Sequence, residues 1–103
     1  MGAFVKIARS DDIQPGQGRM FEIGGKKIAL FNVEGVFYAI DDTCTHRGGP
    51  LSEGELSGKE VTCPWHGAVF DVTTGQVSRP PAPRGISSYN IRVVEGADIE
   101  VEL

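Results

Sequence analysis

All four cysteine and histidine residues of this chain fall in two short pairs, and no other feature constrains its fold as much. The first pair is Cys44-Thr45-His46 and the second is Cys63-Pro64-Trp65-His66, with sixteen residues between them. Cysteines and histidines scattered through a core have no reason to pair in this way. Two buried cysteines with two satisfied or exposed histidines are the bland alternative. Thiolates and imidazoles grouped so closely point instead to a metal site, which requires two loops to converge on one point.

A chain of 103 residues has room for one domain and no second independent core. Fourteen acidic against ten basic side chains give a net charge of −4, and there is no basic run. Nucleic acid is therefore not an expected partner. Uninterrupted apolar stretches reach only about four residues, far short of a membrane span. The opening Met1-Gly2-Ala3-Phe4-Val5-Lys6 has no signal-peptide pattern, so a cytoplasmic protein is expected.

Strand signals dominate the rest. Phe4–Ile7, Met20–Ile23, Lys27–Phe31 and Val36–Ile40 are β-rich runs, and Gly24-Gly25 and Glu34-Gly35 supply hairpin turns between them. Tyr89–Val94 and Ile99–Leu103 alternate apolar and polar residues around Glu95-Gly96. The only helical candidate is about one turn near Ser52–Leu56. The expected fold is all-β, an antiparallel sandwich or small barrel. Residues 1–40 and 86–103 form its scaffold, and the loop-rich segment 41–85 carries the metal site within a single domain, 1–103.

Zinc accepts two cysteines and two histidines, but its usual spacings pair like with like, whereas each arm here carries one of each. A two-iron, two-sulfide cluster accounts for mixed arms, each loop sending its cysteine to one iron and its histidine to the other. Zinc in an interaction module stays open as the alternative.

The pattern resembles the Rieske iron–sulfur proteins, whose motif is C-x-H followed some residues later by C-x-x-H. The likeness extends over Cys44-Thr45-His46-Arg47-Gly48-Gly49-Pro50-Leu51 and Cys63-Pro64-Trp65-His66-Gly67-Ala68-Val69-Phe70-Asp71, then Thr74-Gly75 and a proline loop through Pro81 and Pro83. It implies one Rieske [2Fe-2S] cluster, with Cys44 and Cys63 on the inner iron and His46 and His66 on the outer iron. It also implies that Gly48, Gly49 and Gly67 let backbone pass close to the cluster and aim amides at sulfur. Pro64 and Trp65 would stiffen the second loop, Trp65 mainly by packing. Pro81 and Pro83 would lie over the cluster, and Arg47, Pro64 and Pro81 would rim the histidine edges.

Two departures place the chain within that family. Gly49 and Trp65 stand where the respiratory and photosynthetic members carry an extra disulfide. Ala68 and Phe70 stand where those members carry serine and tyrosine hydroxyls bonded to sulfur. Both point to the low-potential branch of ferredoxins and aromatic-ring oxygenases. With both histidines used as ligands, none remains for a mononuclear iron site, so a carrier rather than an enzyme is expected. The resemblance implies a soluble one-electron carrier of aromatic hydrocarbon catabolism, and since nothing in the sequence demands a dimer, a monomer is expected. Its transient partners would be an NAD(P)H-dependent flavoprotein ferredoxin reductase and a terminal dioxygenase component. The other function it leaves open is a small subunit of a nitrite reductase-like complex.

Overall fold

The apolar runs form strands wherever glycine turns allow the chain to double back. The computed structural model describes residues 3–45, 48–65, 67–80, 82, 84–95 and 97–103. Eleven strands run through these residues: β1 (Phe4–Arg9), β2 (Gly18–Ile23), β3 (Lys26–Val33), β4 (Val36–Asp41), β5 (Glu55–Ser57), β6 (Glu60–Thr62), β7 (Val69–Asp71), β8 (Val77–Arg79), β9 (Ser88–Tyr89), β10 (Ile91–Val94) and β11 (Asp98–Glu102). Short 3-10 turns occupy Ser10–Asp12 and Leu51–Glu53, and no α-helix occurs among the described residues. The strands make three antiparallel sheets, ordered β1-β11-β10, β2-β3-β4-β9 and β5-β6-β7-β8. The all-β antiparallel architecture read from the sequence is present.

The middle sheet is built around the run Ile28-Ala29-Leu30-Phe31 of β3, whose four side chains are fully buried. Side chains alternate across a strand, so an unbroken apolar run needs a core on each face. Ile28 and Leu30, with Ala39 of β4, pack against Ile13, Ile99 and Val101. Ala29 and Phe31, with Ile40, pack on the other side against Leu51, Val61, Phe70, Val72 and both cysteines. The two clusters share one sheet as their common wall.

Turn chemistry fixes the hairpins of that sheet. Gly24 and Gly25 have φ of +59° and +79°, and Glu34 and Gly35 have +53° and +93°, left-handed pairs that suit tight two-residue turns. Buried Asn32 braces the second turn. Its amide group donates to the Ile13 carbonyl at 2.8 Å, and its side-chain oxygen accepts from the Gly35 amide at 2.7 Å.

Three local expectations are corrected. Segment 41–85 was read as loop-rich but holds a four-stranded sheet of its own, with strands of three residues each, too short to show an alternating pattern. The turn expected over Ser52–Leu56 is a 3-10 turn at Leu51–Glu53 that runs straight into β5. The single strand expected over Tyr89–Val94 is broken at Asn90. Before it, β9 pairs with β4 in the middle sheet, and after it, β10 pairs with β11 in the outer sheet.

Candidate metal centre

Each cysteine follows closely on a strand and opens a short closed loop. The first loop leaves β4 through Asp42, which is buried and held at its amide, its carbonyl and its carboxylate. Its amide donates to the Lys27 carbonyl at 3.0 Å, its carbonyl accepts from Leu51 at 2.7 Å, and its carboxylate accepts from the Ser52 amide at 2.7 Å. A bridge between Thr43 and Pro50 then closes the loop neck. The second loop leaves β6 at Thr62 and re-enters the sheet at β7.

Inside their necks the two loops close identically. The Cys44 amide donates to the Gly49 carbonyl at 3.0 Å, and Gly48 donates back to the Cys44 carbonyl at 2.8 Å. The Cys63 amide donates to the Ala68 carbonyl at 2.7 Å, and Gly67 donates back to the Cys63 carbonyl at 3.1 Å. Each reversal needs a left-handed residue at its fifth position, met by Gly48 at φ +76° and Gly67 at +79°. The expectation that Gly48 and Gly67 aim their amides at sulfur is corrected, since both donate to cysteine carbonyls.

Gly49 joins the two loops. A Cβ on it would lie 2.7 Å from the Cys63 Sγ and 3.1 Å from Cγ of Trp65, closer than side chains pack. The backbone of the first loop therefore rests against the second thiol. Both cysteines are almost wholly buried, at 2% and 3% exposure. Two sheltered sulfurs, offered by matching loops that touch, suit the thiolate half of a mixed cysteine–histidine metal site. Trp65 was expected to pack. One edge does cover Gly49, but the side chain is 56% exposed. His46 and His66, expected as ligands, lie outside the described residues, as do Arg47, Pro81 and Pro83.

A third segment, running from β8 to β9, is fastened over the cysteine side of the core. Ala82 is buried in the same cluster as Cys44 and Cys63. The Thr45 hydroxyl donates to the Arg84 carbonyl at 2.6 Å, and the Ile86 amide donates to the Gly75 carbonyl at 2.8 Å. Gly75 has φ +82°, and a Cβ there would collide with the Ile86 carbonyl. Gly75 is held by a turn built on Asp71, whose carboxylate accepts from the Thr73 amide and hydroxyl at 2.8 and 2.6 Å and meets Lys59 at 3.5 Å. Burial pushes the Asp71 pKa up, but the Thr73 hydrogen bonds and the Lys59 charge outweigh it and hold the carboxyl below its usual value. Farther along, the Tyr89 hydroxyl donates to Asp41 at 2.5 Å. Sequence reading missed these fasteners. The run Asp71-Val72-Thr73-Thr74-Gly75 does carry the signature of a side-chain-closed turn, but Thr45 and Asp41 carry no local sign of their partners.

Comparison with known proteins gives the arrangement its context. Residues 3–90 match the Rieske [2Fe-2S] domain model. The ferredoxin component of the naphthalene 1,2-dioxygenase/salicylate 5-hydroxylase systems of a Ralstonia species is 39% identical over 90 residues, covering 87% of this chain and 86% of that protein. The biphenyl dioxygenase ferredoxin subunit of Pseudomonas strain KKS102 is 40% identical over 100 residues, covering 96% and 91%. Among solved structures, a chain in the complex of reduced oxygenase and oxidised ferredoxin of carbazole 1,9a-dioxygenase superposes with a TM-score of 0.90 at 35% identity, covering 99% of this chain and 94% of that one. The likeness runs through both cysteine loops and the strands that carry them, so this chain belongs to the Rieske [2Fe-2S] family and its cofactor is one cluster of that type.

Proposed function

We propose that Cys44 and Cys63 hold one iron of the cluster and His46 and His66 the other. In this reading the chain carries single electrons from an NAD(P)H-dependent flavoprotein reductase to a terminal aromatic-ring-hydroxylating oxygenase. The observation that carries the reading is the matched pair of closed loops, which meet at Gly49 and offer two buried thiols to one site. Its setting is a chain spanning 91% of a biphenyl dioxygenase ferredoxin subunit. When bound, the cluster supplies reversible one-electron chemistry.

The protein sets the charge and the shelter. Two thiolates from Cys44 and Cys63, with two sulfides, balance two ferric ions, so neutral imidazoles leave the oxidised centre formally uncharged. Such a centre would accept one electron at a smaller electrostatic cost than a centre with four thiolates, which would raise its potential. Burial of both sulfurs keeps water from them, and the fastened third segment adds cover from the Ala82 side. Catalysis on the aromatic substrate belongs to the oxygenase partner.

Two measurements test the reading. Cys63→Ala, grown with iron, should lose most of its iron and acid-labile sulfide together with part of its thermal stability. Full retention overturns the ligand assignment. The wild-type holoprotein should be reduced by a flavoprotein reductase and reoxidised by an oxygenase of a naphthalene dioxygenase system. Failure of either half-reaction overturns the carrier role.

A further inference from the structure

The cations of this acidic chain are unevenly engaged. On the outer sheet, Lys6 and Arg9 meet Asp98 at 3.4 and 3.3 Å, and Arg92 meets Glu100 at 2.6 Å. Lys59 meets Asp71. By contrast, exposed Lys26, Lys27 and Arg84 have no ion-pair partner among the described residues, and all three line one open groove of about 690 Å³. That groove runs along the first cysteine loop at Cys44 and Thr45. Asp41 is the one carboxylate among its described lining residues, and it already accepts from the Tyr89 hydroxyl and the Ser87 amide. Lys26 is held over the Tyr89 ring, 5.7 Å from its centre. The result is a cationic trough beside the metal centre on a chain whose net charge is −4.

We propose that this groove is the docking site for a carboxylate-rich segment of the electron-donating reductase, which rests on the carrier role proposed above. Complementary charge steers encounter, and an acidic partner is repelled by the net charge of this chain except at such a trough. Electrostatics also chooses between the two redox partners. Accepting one electron would add one negative charge to the centre that Cys44 helps to hold, and Cys44 itself lines the groove. An acidic partner therefore holds the oxidised carrier more tightly than the reduced one. It binds the form that needs an electron and releases the form that has received it. That order serves a donor; an acceptor needs the reverse.

The test uses the holoprotein, a triple variant Lys26→Gln/Lys27→Gln/Arg84→Gln, the single variant Lys27→Gln, and Arg19→Gln on β2 as a control matched in charge to the single variant. The flavoprotein reductase of a naphthalene dioxygenase system, supplied with NADH, reduces each carrier at low salt and at 0.5 M salt. In the triple variant the KM for the carrier should rise about tenfold at low salt with kcat kept, and the difference should shrink at high salt. Lys27→Gln should show a smaller rise, and Arg19→Gln none. The visible spectrum should match the wild type throughout, and the midpoint potential of the triple variant should fall below that of the wild type, because three cations that favour the added negative charge are gone. Direct binding should favour oxidised over dithionite-reduced carrier in the wild type, and less so in the triple variant. An unchanged KM in the triple variant overturns the proposal, as does tighter binding of the reduced carrier. A defect seen only on reoxidation by the oxygenase overturns the choice of donor. If the wild type itself takes no electron from the reductase, the carrier role falls as well.

Discussion

At the scale of single residues, the redox character should depend on two positions that carry no hydroxyl. Ala68 and Phe70 are fully buried in the same cluster as the cysteines, and the Ala68 carbonyl closes the second loop. A hydroxyl donating to sulfur stabilises the reduced centre more than the oxidised one. Hydrogen bonds to charged groups are worth about 1.5–3 kcal/mol, and the difference between oxidation states is on the order of 1–2 kcal/mol. For one electron, roughly 1.4 kcal/mol corresponds to about 59 mV. The wild type is expected near the lower end of the Rieske range, which runs from about −150 to +300 mV. Ala68→Ser with Phe70→Tyr should raise the midpoint by on the order of 100 mV in cyclic voltammetry. Tyr89 offers a second residue-scale test. Burial first, then its bond to Asp41 and the charge of Asp41, raise the phenol pKa to about 12. A raised pKa means that the stability from this group is complete below about pH 10, where the unfolded phenol is still protonated, and is lost as pH climbs through about 12. Tyr89→Phe should cost about 1–2 kcal/mol at neutral pH and flatten the alkaline decline between those limits, as read by urea denaturation.

Among elements, the third segment depends on one glycine. Gly75→Ala combines a left-handed φ with a clash against the Ile86 carbonyl, and should cost about 2–4 kcal/mol. Iron should then be lost to a chelator faster, because the segment would keep the Thr45–Arg84 hydrogen bond, the Ser87–Asp41 contacts and buried Ala82 but lose its anchor at Gly75. How far the elements can be read from sequence follows from their length. β1 to β4 and β11 announce themselves through runs of four or more apolar or alternating residues and through paired turn residues. β5 to β8 do not, because three residues cannot display a period. The break at Asn90 is invisible for another reason: alternation continues across it, and only the change of partner from β4 to β11 divides the strand. At the site, the cysteine pairs are plain from spacing, whereas Thr45 meets Arg84 across 39 residues of sequence with no local signal.

At the scale of the whole molecule, β3 serves two cores. Leu30→Ala and Phe31→Ala alter adjacent residues of one strand, and each should cost about 2–5 kcal/mol. Their effects should otherwise part. Phe31 packs with the cysteine cluster, so its loss should also speed iron release to a chelator under native conditions. Leu30 packs with Ile99 and Val101, so its loss should lower the denaturation midpoint while leaving native iron release unchanged. Equal acceleration by both variants would show that the cores do not act separately. Double burial also has a bearing on folding. A slip of β3 by one residue would turn Ile28 and Leu30 toward the space shaped for Ala29 and Phe31, and the reverse, spoiling both cores together. The alignment of the middle sheet is thus proofread from each side, and an error that one core tolerated would still be rejected by the other.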